Sequence, residues 1–504
     1  MRLAGKFVVI AAITLFQGVA LAGADNKVIS DAVGLRDQGE FEKATRMLQT
    51  WLDDHTTGVA EGDRRAVQFE IERIGRIRQD YKLTRERLVS QLQDRLTTFT
   101  AAELDNYEKE GKLDVQLIDG QKLYANTSAS NLILRVPELR ARRKSQGPGR
   151  SEKLLYNQML QARKAAELTS LSLVLPQDFL VTFTLTVDKN AATSGHIIRA
   201  WLPFVNQTSY QSDVDILSAS PGIKQIAPPQ WPHRTVYMEQ PAVQDQEAKF
   251  SLSFVYRSWV RSNKLDPALV QPYDKDGPYY KFYTAERKPH LDFSNEDLKR
   301  ISNEVKGSDG NPLLLARRIY DWIAKNTIYQ YAREYSTIDC IAGYTAGRRA
   351  GDCGQHGMLF IALCRMNGIP ARWTTGWESF ADRGVNMHDW CEFYVEPWGW
   401  LPADPDMAVN LTHYTDTLTT GQSAELIDWM FGNMDNYRLT VNTDYGRELF
   451  PPKQDFRSET VDFQRGEVES DGKNIYFDKF SYDMNIEPIS APAAEELRKR
   501  FKPE

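Results

Sequence analysis

Cysteine is scarce, with four in 504 residues, too few for a disulfide scaffold. Three of them, Cys353, Cys364 and Cys391, fall in one short region. Two bridges are the pairing an exported chain suggests, but this crowding predicts at least one free thiol. C-x-x-C pairs are missing as well, so no zinc site is expected. Asp274-Lys275-Asp276-Gly277 opens like a calcium loop but lacks its other ligands, including the closing Glu. It reads as a turn, and no metal or other cofactor is expected. A basic excess is absent too: 62 Lys and Arg stand against 68 Asp and Glu, a net charge of −6. Nucleic-acid binding usually needs a clustered basic surface, so that class of partner is disfavoured. Hydrophobic residues at 41% and charged residues at 26% exclude a disordered or collagen-like chain.

Long apolar runs are reduced to one, at the N-terminus. Arg2 and Lys6 precede the stretch Phe7 to Leu21, and Ala20-Leu21-Ala22 offers a small-x-small cleavage site. Residues 1–22 therefore read as a signal peptide. The run is shorter than the ~20 apolar residues of a spanning helix, which favours cleavage over an uncleaved anchor. No Cys follows it to accept a lipid. The expectation is a periplasmic or secreted protein with no stable membrane insertion after cleavage.

Length suggests about three domains. Residues 26–165 are expected to be helical: Val67, Ile71, Ile74, Tyr81, Leu88 and Leu92 recur at three-, four- and seven-residue spacings. Gly39-Glu40-Phe41-Glu42-Lys43-Ala44 resembles one turn of a tetratricopeptide unit, but no second copy supports a repeat array. Arg140, Arg142, Arg143 and Lys144, then Gln146-Gly147-Pro148-Gly149-Arg150, read as a solvated linker. From 166 to 295 the period becomes two. Val181, Phe183, Leu185 and Val187, then Phe250, Leu252, Phe254 and Tyr256, alternate with mostly polar neighbours, which predicts a β-sandwich. Residues 296–420 read as an α+β domain. Leu314, Ile319, Trp322 and Ile323 mark one helix face, Met358 to Leu363 another, and Glu392–Val395 and Trp400-Leu401 the strands. Residues 421–504 are expected to pack back on that domain as a β-rich extension.

The chemistry-bearing segment starts at Gly351-Asp352-Cys353-Gly354-Gln355-His356-Gly357. An apolar helical pattern follows at once, which places Cys353 in the first turn of a helix. There the free N–H groups and the dipole favour a thiolate and can hold an oxyanion; a buried inert Cys is the competing reading. In His388-Asp389-Trp390-Cys391-Glu392-Phe393, period two sets His388, Trp390 and Glu392 on one face and Asp389 and Cys391 on the other. A His at a strand edge can serve a helix-borne thiol as its base. Asp404, at the end of the next expected strand, can bond the far imidazole nitrogen. Asp406 is its rival, His356 is expected to be packed within its helix, and Cys391 is expected in the core. Gln355 and Trp390 are assigned to substrate contact, with helix packing and core as their competing roles.

These residues carry a family resemblance. Cys353, with Leu359 to Arg372 ending in Gly368-Ile369-Pro370-Ala371-Arg372, resembles the transglutaminase-core signature. His388-x-Trp390-x-Glu392 and Gly399-Trp400-x-Pro402-x-Asp404-Pro405 are similar to its His and Asp strands. The resemblance covers roughly residues 300–410 and, more weakly, the β-domain before it. It implies a papain-like fold with a Cys353–His388–Asp404 triad and a thioester formed by attack on an amide carbonyl. Hydrolysis, as a protease or amidase, and cross-linking to an amine share that triad, and the missing calcium loop tilts the expectation to hydrolysis of a protein or peptide. A non-catalytic binding or structural envelope protein on the same fold is the alternative.

Overall fold

The computed structural model describes residues 26–144, 151–308 and 310–500. The expected signal peptide and Gln146–Arg150 of the expected linker lie outside the described residues. Two compact units are present, one built from the chain up to Gly75 with Leu117–Gln121, the other from Arg76–Gln116 and from Lys122 onward. In the first, Gly39 takes φ +86° between α1 (Asn26–Asp37) and α2 (Phe41–Asp54). A side chain there would need a strained backbone and would meet Leu117 at 2.9 Å. Ala32, Phe41, Ala44, Leu48 and Leu52 are buried, and Arg36 pairs with Glu70 of α3 (Glu61–Asp80) at 2.9 Å.

In the second unit, the helical periodicity read through residues 67–92 is interrupted. Tyr81–Leu83 forms β1, and Thr84, extended at ψ 166°, caps a new helix α4 (Arg85–Arg95) by accepting from the Arg87 N–H. A threonine hydroxyl competes for backbone donors and so favours a helix start over a helix interior. The chain continues through α5 (Ala101–Lys109), β2 (Val115–Ile118), β3 (Gln121–Ala125), α6 (Ser128–Arg135), α7 (Pro137–Ala141) and α8 (Glu152–Thr169).

The period-two segments become β4 (Leu173–Val187), β5 (Ile197–Pro203), β6 (Gln211–Ser220), β7 (Ile223–Ile226), β8 (Thr235–Pro241) and β9 (Ala248–Arg261). Along β4, Phe179, Val181, Phe183, Leu185 and Val187 are all buried, and Phe250, Leu252, Phe254 and Tyr256 of β9 join the same apolar cluster. Ile198, Ala200 and Leu202 of β5 and Val236 and Met238 of β8 complete that cluster from a second sheet.

Next come α9 (Pro278–Thr284), α10 (Glu296–Val305), α11 (Pro312–Asn326), β10 (Ile328–Tyr329), α12 (Ile341–Arg348), β11 (Ala350–Gly351) and α13 (Cys353–Met366). Asp274 accepts from the N–H groups of Asp276 and Gly277, the expected turn. On α11, Ile319, Trp322 and Ile323 are buried as expected, but Leu314 is 37% exposed and Leu313 is buried in its place. α13 is apolar on every side because it is enclosed by α10, α11, α12 and the strands β12 (Ala371–Phe380) and β13 (Gly384–Val395). β14 (Gly399–Ala403), α14 (Pro405–His413), α15 (Thr420–Met430) and β15 (Arg438–Asn442) follow, and the sheet order is β14-β13-β12-β15.

The last segment departs from expectation. Only β15 joins the sheet that carries His388. β16 (Glu467–Ser470) pairs with β5 and with β17 (Lys473–Ile475), while β18 (Phe480–Ile489) pairs with β4 along ten residue pairs. Val468, Ile475, Phe480, Met484 and Ile486 find their apolar partners in the β4–β9 region, and β4 has an edge free to receive them. α16 (Ala491–Arg500) ends the described chain.

Candidate active site

Asp352 and Gln355 determine where α13 begins. The Asp352 carboxylate accepts the Gln355 N–H at 3.0 Å, and Gln355 Oε1 accepts the Asp352 N–H at 3.2 Å, a reciprocal capping box. Cys353 is thereby the first helical residue, as expected. Gly354 is needed for close approach: a Cβ there would collide with the Tyr335 hydroxyl and lie 2.7 Å from Asp389 Oδ2 and from the Trp373 ring.

β12 and β13 pair so that Gly376 faces His388 and Thr375 faces Asp389. Strand alternation turns the two neighbouring side chains to opposite sides. His388 Nε2 bonds Asp404 Oδ2 at 2.7 Å. Asp404 is fully buried and also accepts Arg438 Nη1 at 2.7 Å and the Met407 N–H at 2.9 Å. Burial opposes charge on both partners, yet the pairing outweighs it. Asp404, with Glu378 behind it, raises the His388 imidazole to about 9, and His388 with Arg438 holds the Asp404 carboxyl below its ordinary range. The dyad therefore rests as imidazolium and carboxylate at neutral pH.

The thiol meets a different partner. Cys353 Sγ bonds Asp389 Oδ2 at 3.5 Å, and Thr375 donates its hydroxyl to the other oxygen. Burial, then Asp389, Asp352 and Asp406, push the thiol well above its usual value. This runs against the expectation that the helix dipole would favour a thiolate, because burial first, and the neighbouring acidic groups next, oppose charge on the sulfur. Asp389 itself is raised by burial to about 7, and Asp352 to about 6.

A cleft of about 1000 Å³ opens over these groups and is lined by Cys353, His388, Asp389 and Asp406. Its walls come from residues within 134–143, 151–155, 329–336 and 458–465. Gln355 and Trp390, expected to touch substrate, do not line it. Gln355 is spent on the cap and is 2% exposed. Trp390 points away from α13 and packs with Leu155, Met407 and Trp429, its ring stacked 6.2 Å from His388. Asp406 does not replace Asp404: it bonds His356 Nδ1 at 2.9 Å and Asn410 at 3.0 Å, which makes His356 the packed helix residue expected. Cys391 is a core residue, its thiol donating to the Ala403 carbonyl at 3.3 Å. All four cysteines are unbridged. Glu392 takes Arg261 at 2.6 Å and Arg372 at 2.6 Å, fastening β13 to β9 and β12. Among the described residues no cluster of His, Cys, Asp or Glu is suited to a metal ion, and no helix is long and apolar enough to cross a membrane.

Sequence reasoning missed Asp389, Arg438 and Asp462 as neighbours of the chemistry. The first was within reach, since the alternation that sends Cys391 toward α13 sends Asp389 the same way. The others lie 34 and 58 or more residues beyond the motifs and carry no local signal.

Residues 299–405 match the family model of the transglutaminase-like superfamily. A transglutaminase-like core therefore occupies this segment, within a mixed α/β multidomain chain. An uncharacterised protein of Haemophilus influenzae is 25% identical over 223 residues, which span 39% of this chain and 59% of the relative. Among solved structures, a candidate cysteine protease from Cytophaga hutchinsonii is 17% identical, with 63% of this chain and 92% of that chain covered and a TM-score of 0.42. The periplasmic domain of TgpA from Pseudomonas aeruginosa is 15% identical, with 49% and 92% covered and a TM-score of 0.25.

Proposed function

We propose that this protein is an exported cysteine enzyme that acts on amide bonds of proteins or peptides through Cys353, His388 and Asp404. The observation that supports this most is the buried Asp404–His388 bond in the cleft of Cys353. It occupies Nε2 and leaves Nδ1 as the imidazole nitrogen for the thiol and the leaving group. In this reading Cys353 attacks the amide carbonyl carbon as its thiolate, the C–N bond breaks, and the His388 imidazolium gives its proton to the departing amine. Water then loses a proton to His388 as it attacks the thioester, releasing the acid and the thiolate. An amine in place of water would give cross-linking; hydrolysis is the outcome we favour. The two sheets built on β4–β9 are read as the sandwich flanking this core, and residues 1–22 as the export signal.

One observation favours a second reading, a non-catalytic binding module: the thiol bonds a carboxyl group rather than an imidazole. Incubation with a mixed peptide library and a primary amine, followed by mass spectrometry, separates the readings. Cleaved peptides, deamidated Gln or amine adducts that vanish in Cys353→Ala support the enzyme. Their absence, together with a Cys353 no more reactive to iodoacetamide than a model thiol at pH 6, sinks it.

A further inference from the structure

The cleft holds a carboxyl group that the fold leaves without a partner. Asp462 is 7% exposed and lines the cleft, yet among the described residues its side chain accepts no hydrogen bond and forms no ion pair. The nearby Arg465 is taken by Glu334 at 2.9 Å through two nitrogens and by Glu459 at 2.7 Å. Burying a carboxyl with no donor is costly and is rarely left uncompensated. Ser336, another lining residue, is also 7% exposed and its Oγ has no hydrogen-bond partner. Two unmet polar groups thus belong to residues that line one cleft.

Carboxyl groups outnumber the one guanidinium, Arg465, that acts on Asp462. Burial is the main cause of the raised Asp462 carboxyl, with repulsion from Glu459 and Asp389 next. Tyr335 feels Asp352, Asp389, Cys353 and Asp462 together, so these groups gather around one ring beside the thiol. Asp389 is 3.5 Å from Cys353 Sγ.

We propose that Asp462, Asp389 and Ser336 form a subsite for a primary ammonium, so that the cleft selects a substrate carrying a lysine-type cation next to the group presented to Cys353. An ammonium has three donors and no acceptor, which matches two carboxylates and a hydroxyl oxygen. Its charge offsets the burial and repulsion that raise these carboxyl groups, so binding favours release of their protons. The subsite deepens the reading of Cys353 as the reacting group and rests on it.

The test reads Cys353 without requiring turnover. Rates of disulfide formation at Cys353 are measured by peptide mass spectrometry with 2-aminoethyl, 2-sulfonatoethyl and methyl methanethiosulfonate. We expect the cation-to-anion rate ratio to exceed that of a model thiol by about tenfold, the size of one or two charges at short range in a half-buried cleft. Asp462→Asn should lower the ratio by about threefold or more and leave the neutral reagent within about twofold; Asp462→Glu should keep it. In the unmodified chain, butylammonium should slow the neutral reagent and butanol at equal concentration should not, a measurement that needs no variant to fold. A ratio equal to that of the model thiol, a ratio unmoved in a folded Asp462→Asn, or equal protection by butanol overturns the subsite. Loss of all amide chemistry with charge selection intact would instead defeat the enzyme reading alone.

Discussion

Asp404→Asn gives the sharpest test of the His388–Asp404 geometry. Oδ2 accepts both His388 Nε2 and Arg438 Nη1, and Oδ1 accepts the Met407 N–H. An Asn amide must put its NH2 against one of these donors in either orientation. The carboxylate also sets the imidazole charge: the rise of His388 from 6.5 to about 9 corresponds to about 3 kcal/mol. Removing one member of a buried, hydrogen-bonded ion pair costs about 3–5 kcal/mol. The raised imidazole stabilises the fold fully below pH 6.5, and that contribution is lost as pH rises through about 9. The penalty of Asp404→Asn in urea unfolding should therefore be full at pH 6 and smaller by about 3 kcal/mol at pH 10. The His388 ring signals in NMR should titrate near 9 in the parent chain and at least about 2 pH units lower in the variant. If the penalty is the same at both pH values, or the midpoint does not move, the coupled pair is not the source of the site's charge.

Three further outcomes follow from neighbouring contacts. Asp389→Asn removes the carboxyl bonded to the thiol, so alkylation of Cys353 by iodoacetamide at pH 8 should speed up by about tenfold; an unchanged rate would mean Asp389 does not restrain it. Gly354→Ala drives a methyl group into Tyr335, Asp389 and Trp373, and a calorimetric scan should show a loss of about 1–3 kcal/mol with the α13 start displaced. Glu392→Gln strips the charge shared by Arg261 and Arg372. It should cost about 3 kcal/mol in urea unfolding, and a cost below about 1 kcal/mol would show that these arginines find other partners.

The transglutaminase-like core was legible because its signals are local. The apolar run behind Cys353 and the alternation through His388 and Cys391 each depend on residues within a few positions of one another. The β segments 173–187 and 248–261 were equally readable from period two. The break between α3 and α4 was not, since Thr84 overrides a helical pattern that continues on both sides of it.

Where distant chain segments meet depends on the folded chain. No sequence period announces that β16 and β18 return to β5 and β4, because strand pairing is chosen by a free edge and a shared apolar core. Nor does it announce that Arg438 closes on Asp404, or that Asp462 enters the cleft unpaired. The sequence by itself determined that Cys353 heads a helix and that His388 and Asp389 face opposite ways. The tertiary structure decided which of the two the thiol bonds. Side-chain alternation fixes faces, whereas the helix packed against one of those faces brings Cys353 to Asp389, and the charge gathered there comes from the whole fold.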